Sequence, residues 1–213
     1  MTAWTFLIYF FEFSAFITSA FYYKNLKNAN LKSLPFFLFF VFLGEIVALL
    51  LAKKFHTNLF YYNIFTALQM IYYLVLIGKH LNSNKAKIII LSTVLAFIVF
   101  TSINFIFVQD LNIRLDSYSF TFGCFLITIW VTYYFFELLN SDQVEDYGTQ
   151  PMFWIGIGLF IFYLCNIPYM SIFNYLQSNY KTIFNAYFKI IQILGYFMYT
   201  FFIIGILCLS KRR

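Results

Sequence analysis

The chain divides into seven apolar stretches, each long enough to cross a bilayer as a helix, with only short polar connectors between them. A span needs roughly 20 mostly apolar residues, and such windows run at 3–22, 34–52, 59–78, 88–108, 118–139, 151–172 and 185–209. Strands of a membrane barrel would instead be runs of about 10 residues alternating apolar and polar, and no such alternation is present. With 62% hydrophobic and 10% charged residues and a mean hydropathy of +0.79, the chain has too little polar surface to clothe a water-soluble domain.

The expected fold is all-α: a polytopic integral membrane protein in which residues 1–213 form one bundle of seven transmembrane helices. The first stretch lacks a basic leading segment and carries Glu12 in its middle, so it reads as a retained helix rather than a signal peptide. Cys124, Cys165 and Cys208 fall inside spans and read as small apolar packing residues. Lys and Arg in short loops report orientation. One side collects Lys24, Lys27 and Lys32, then Lys79, Lys85 and Lys87, then Lys211-Arg212-Arg213; the other holds Lys53, Lys54, Arg114 and Lys181. That bias predicts the N-terminus out and the C-terminus in, with residence in the bacterial inner (cytoplasmic) membrane. The fifth connector, with Asp142, Glu145 and Asp146 and no cation, runs against the bias, although acidic residues weigh little in it. The net charge of +6 reads as anchoring to anionic lipid, and no nucleic-acid partner is expected.

A polar group inside a span costs free energy unless it faces a partner or water. Four ionisable residues lie in the windows: Glu12, Glu45, Glu137 and Lys189. Glu137, at a span end, reads as solvated. Glu45 is central in its span, in the run Leu43-Gly44-Glu45-Ile46. At about 1.5 Å per residue, Glu12 and Lys189 both lie some 7–12 Å below the outer boundary, where they would meet if the first and last helices are neighbours. The alternative for Lys189 is snorkelling to the interface, and for Glu12 a protonated carboxyl inside the bundle.

Helical spacing groups further polar residues. The third stretch places Tyr62, Thr66, Gln69 and Tyr73 on one face, and the seventh places Asn185, Lys189, Gln192 and Tyr196 on another. The fifth adds Thr121, Cys124, Thr128 and Thr132, and the sixth adds Asn166 and Tyr169 around Pro168, whose missing N–H should kink the helix. These stripes predict an outer-half cavity with Glu12, Glu45, Gln69, Asn166, Lys189, Gln192 and Tyr196 as its candidate ligand-binding residues and Pro168 as a hinge. The competing reading is interhelical hydrogen-bond glue. Trp130, deep in the fifth stretch, reads as packing rather than as a platform for a ligand.

Several chemistries lack their residues. A zinc hydrolase of the seven-helix ceramidase type needs three or four clustered ligands, and only His56 and His80 are present, in connectors on opposite sides. HExxH, GxSxG and P-loop motifs are absent. The Asn185-to-Lys189 spacing resembles the acid-then-lysine spacing of microbial rhodopsins, but the third stretch lacks that family's arginine and carboxylates. The recurrence of Tyr9-Phe10-Phe11-Glu12 as Tyr134-Phe135-Phe136-Glu137 fails as a transporter repeat, because the two glutamates sit at different depths. No enzyme activity, cofactor or metal is expected.

Three features, Gly44-Glu45-Ile46, Asn63-Ile64-Phe65-Thr66 followed by Gln69, and Phe153-Trp154-Ile155-Gly156 after Pro151, resemble those of uncharacterised seven-helix proteins of Bacteroidota type, some associated with sensor kinases. The resemblance implies a membrane sensor or binding module that signals through a partner, and it carries no catalytic residue. The expected function is thus a receptor-like sensor, with the bilayer, a small-molecule ligand and a cytoplasmic or membrane signalling protein as partners. In it, a ligand or proton at Glu45 and Lys189 would shift the sixth helix about Pro168. The alternatives are a small-solute or proton-coupled transporter or channel, and an oligomeric effector that permeabilises membranes.

Overall fold

Apolar runs of this length leave their backbone polar groups no partner in lipid except one another, so they must be helical. The structure, a computed structural model, describes residues 3–110, 113–141 and 144–209. Asp142 and the basic end Lys211-Arg212-Arg213 lie outside the described residues. Among those described, every regular element is a helix: α1 (Ala3–Phe21), α2 (Tyr23–Asn28), α3 (Leu34–Phe55), α4 (Leu59–His80), α5 (Asn84–Ile103), α6 (Ser117–Leu139), α7 (Pro151–Ser171), α8 (Phe173–Asn179) and α9 (Lys181–Cys208), with a π turn at Asn104–Val108 and a 3-10 turn at Val144–Thr149. Six helices are long and apolar enough to cross a membrane, and Phe6–Phe21 is a shorter apolar helix. Their outer faces, with Ile88, Leu91, Ile129 and Phe136 exposed, are as apolar as the interior, which suggests a membrane protein.

Two helices begin earlier than the hydropathy windows. α5 starts at Asn84, where the Ser83 hydroxyl accepts the Ala86 N–H at 3.3 Å as an N-cap, and α9 starts at Lys181. Hydropathy misses both starts because Lys85, Lys87 and Lys181 continue a helix without being apolar. The first connector is also more than a polar link. It forms α2 and then turns at Asn30, in the left-handed region at φ 57°, so that Leu26, Leu31 and Leu34 are fully buried.

α1 packs between α3 and α9, α9 on α7, α7 on α6, and α6 on α4, while α3 meets α4 along a thin seam. These six helices close a ring, and α5 lies outside it against α4 and α6. The α7–α9 contact is the closest. A Cβ at Gly158 would stand 3.0 Å from the Met198 carbonyl oxygen, and one at Gly205 would stand 2.7 Å from the Pro151 carbonyl oxygen. Small residues let the two backbones touch, as is usual where hydrophobic burial cannot drive helix association.

Candidate functional site

A cavity of about 420 Å³ opens inside the ring, in the half bounded by residues 56–58, 113–116 and 172–180. Its polar lining comes from Tyr9 and Glu12 on α1, Glu45 on α3, and all four residues of the α4 stripe, Tyr62, Thr66, Gln69 and Tyr73. α7 adds Asn166 and Tyr169, and α9 adds Gln192 and Tyr199. The structure thus brings together Glu12, Glu45, Gln69, Asn166 and Gln192.

Lys189 and Tyr196 are not in the lining. Lys189 is exposed, no ion pair joins it to Glu12 among the described residues, and the Tyr196 ring stacks on Phe11 at 5.5 Å. The face of α9 that lines the cavity carries Phe188, Ile191, Gln192, Gly195, Met198 and Tyr199. At about 100° per residue this face is roughly a quarter turn from the Asn185, Lys189, Gln192, Tyr196 stripe. Placing Lys189 inside set the wrong phase; its long side chain belongs at the outer surface. The α6 stripe does not reach this cavity either: Cys124 is buried in the core and Thr132 is exposed. Pro168 lies exposed within an α7 that stays helical through it.

The two acids are held differently. Glu45 Oε1 accepts the Tyr62 hydroxyl at 2.9 Å across the thin α3–α4 seam, and the neighbouring Tyr61 hydroxyl donates to the Gly44 carbonyl at 3.1 Å. Glu12 is 4% exposed. The Tyr199 hydroxyl lies within its reach, yet Glu12 Oε2 has no hydrogen-bond partner. Two more buried atoms of the lining are unpartnered, Asn166 Oδ1 and the Tyr169 hydroxyl. Three of the six unpartnered buried side-chain atoms among the described residues thus lie around this one cavity, where water or a bound molecule could meet them.

The cavity is closed below. Tyr73 stands edge-on to Tyr163 at 5.9 Å and to Phe202 at 6.2 Å, and Tyr199 stands edge-on to Phe202 at 5.8 Å. Under this aromatic floor Leu74, Ile77, Ile127, Leu159 and Ile206 are fully buried. The sequence offered no signal for the floor, because Tyr and Phe are abundant everywhere in the chain.

The rim is fixed by a polar knot that sequence reading also missed. Asn104, at the π turn, donates from Nδ2 to Gln109 Oε1 and Ser119 Oγ, both at 3.1 Å, and to the Asp116 carboxylate. Asp116 caps α6 by accepting the Ser119 N–H at 3.0 Å, and its own N–H donates to Asn63 Oδ1 at 2.9 Å. Asn63 Nδ2 donates to the Arg114 carbonyl at 3.0 Å, and Asn174 Nδ2 donates to Ser117 Oγ at 3.0 Å. α4, α6, α8 and the end of α5 are thereby tied around Leu115, which lines the cavity. Burial pushes the Asp116 carboxyl above the usual Asp range, against the hydrogen bonds from Ser119 and Asn104.

Asp116→Ala should lower stability by about 1–2 kcal/mol, chiefly the lost N-cap of about 1 kcal/mol, since the Asn104 amide keeps Gln109 and Ser119 as acceptors. Asp116→Asn keeps an accepting oxygen and should retain most of that stability. A carboxyl raised on folding contributes stability that is present below its ordinary value of about 4 and lost as pH rises through the raised value. Asp116→Asn should therefore flatten this part of the pH profile, which thermal unfolding between pH 4 and pH 8 checks.

In comparisons with protein-family models, curated proteins and solved structures, nothing matches this chain. The site therefore stands on its own geometry.

At the opposite end of the bundle Glu137 is structural rather than merely solvated. Its two oxygens accept the Asn82 N–H at 2.6 Å and the Ser83 N–H at 3.2 Å, fixing the start of α5. Nearby, His80 reaches the Leu76 carbonyl at 2.9 Å and the Ala29 carbonyl at 3.3 Å, tying α4 to the first connector. Trp130 packs against α5 and donates from Nε1 to Thr93 Oγ1 at 3.0 Å.

Proposed function

We propose that this chain is a seven-helix receptor-like module of the bacterial inner membrane, N-terminus out and C-terminus in, that binds a small molecule in its central cavity and signals through a partner. The observation that carries this reading is the cavity with three unpartnered buried polar atoms. Its size falls in the ordinary range for small-ligand sites, about 300–1,000 Å³. Its closed aromatic floor favours a receptor over a channel, because a permeation path has to continue to the other side. The bias of Lys and Arg supports the orientation, and with that orientation the cavity opens outward.

The seam between α7 and α9 suggests how occupancy would be reported. Gly158 and Gly205 pin the first half of α7 to α9. Beyond them, from Pro168 onward, α7 meets α9 through side chains instead, with the Tyr169 ring stacked on Tyr187 at 5.9 Å and Tyr169 and Met170 in the lining, so a ligand that displaces Tyr169 would move this segment against α9.

A cysteine at Thr66, in a background whose three native cysteines are replaced, tests the reading. A membrane-impermeant thiol reagent should modify Thr66→Cys from the face bearing residues 56–58 and not from the other. Labelling from both faces would favour the transporter, and labelling from neither would remove the wet cavity and with it the receptor.

A further inference from the structure

The cavity has an unusual charge count. Glu12 and Glu45 both face it, closely enough for their charges to interact, and among the described residues its lining contains no Lys, Arg or His. Lys189 and Arg114, adjacent in sequence to the lining residues Phe188 and Leu115, are exposed. Buried carboxylates without a counter-charge are costly and take up a proton instead, so a cation entering the cavity would supply the charge partner that the described residues do not.

The hydrogen-bonding capacity left over has the same sense. Asn166 spends a donor on the Phe162 carbonyl at 2.8 Å, which leaves its buried Oδ1 as a free acceptor. An ionised Glu12 Oε2 is an acceptor only. With Glu12 ionised by a bound cation, two of the three unpartnered atoms ask for a donor, and the Tyr169 hydroxyl can take either role. The rest of the wall is aromatic, with rings from α1, α4, α6, α7, α8 and α9, and aromatic faces attract cations. The volume of about 420 Å³ lies in the range of small-molecule sites, about 300–1,000 Å³, so it has room for an organic body as well as a charged head.

We infer that the cavity is built for an organic ammonium: a charged N–H-bearing head between Glu12 and Glu45, within reach of Asn166 Oδ1, and an apolar body against the aromatic wall. This rests on the ligand-binding reading above. It also explains why Lys189 stands outside, since an internal ammonium would occupy the place the ligand takes.

The test uses the full chain in lipid nanodiscs at pH 7.5, with 2-phenylethylammonium as the probe, and 2-phenylethanol and phenylacetate as its neutral and anionic counterparts. Isothermal titration should show saturable binding of the ammonium, with the alcohol and the carboxylate at least about tenfold weaker, as expected for loss of a charge-assisted contact. Glu12→Gln and Glu45→Gln should each weaken the ammonium by about tenfold or more, while Lys189→Gln leaves it unchanged. Unfolding temperatures within a few degrees of the parent show that the variants are folded.

Preference for phenylacetate, equal binding of all three, ammonium binding that survives both glutamine variants, or no binding of the ammonium overturns the inference. If Thr66→Cys is still labelled from the outer face in those cases, the receptor reading survives and only the ligand class is wrong. If Thr66→Cys is unreachable, both fall.

Discussion

Valine at both Gly158 and Gly205 is expected to lower the stability of the bundle by about 2–6 kcal/mol, at about 1–3 kcal/mol per overpacked site. The cost is steep because the atoms a new Cβ meets are backbone: the Met198 carbonyl oxygen at 3.0 Å and the Pro151 carbonyl oxygen at 2.7 Å. A side chain can rotate away, whereas a helix backbone moves only by separating α7 from α9. Against a total stability of about 5–15 kcal/mol, the double variant should unfold about 5–20 °C below the parent. Gly148→Val is the control, since a Cβ there meets nothing within 4 Å. Equal unfolding temperatures for the two would mean that α7 and α9 are not held in backbone contact.

Asn166→Leu should have the opposite sign. Asn166 is fully buried on α7 and faces the cavity, with Oδ1 unpartnered. An unsatisfied buried acceptor costs about 1–3 kcal/mol and the lost Nδ2 bond to the Phe162 carbonyl is worth about 1 kcal/mol, so replacing Asn166 with an apolar side chain should raise the stability of the empty protein by up to about 2 kcal/mol. Binding of the ammonium probe should fall by about tenfold or more in the same variant, because the ligand loses an acceptor. Thermal unfolding and titration on one sample measure both. A loss of stability would mean that Asn166 serves the fold, and unchanged affinity would place it outside the binding contacts.

What the chain wrote legibly is what the bilayer demands. A run of apolar residues long enough to cross lipid admits one backbone solution; helices lie at each of the seven windows, six of them long and apolar enough to cross a membrane, and the starts at Asn84 and Lys181 are polar extensions hydropathy does not see. The α4 stripe was equally legible, since Tyr62, Thr66, Gln69 and Tyr73 interrupt an otherwise apolar surface at helical spacing and all four line the cavity. The α9 stripe was legible in kind but not in phase, because a lysine was used to set it. The rim knot was illegible. Asn63, Asn104, Asp116 and Asn174 are far apart along the chain, and each alone looks like an ordinary cap or connector residue.

α9 runs 28 residues, about 42 Å at 1.5 Å per residue, against a hydrocarbon core of about 30 Å. In the membrane orientation proposed above, with the end of α9 held where Gly205 meets Pro151, the surplus falls at the other end, where Lys181, Ile183, Tyr187 and Ile190 are exposed. Phe188 and Ile191, in this same stretch, line the cavity. The hydrophobic thickness of the membrane is therefore a variable of the mouth itself. In a thin bilayer the opening stands in bulk water, and in a thick one it sinks among the headgroups, where anionic phosphates concentrate cations just outside.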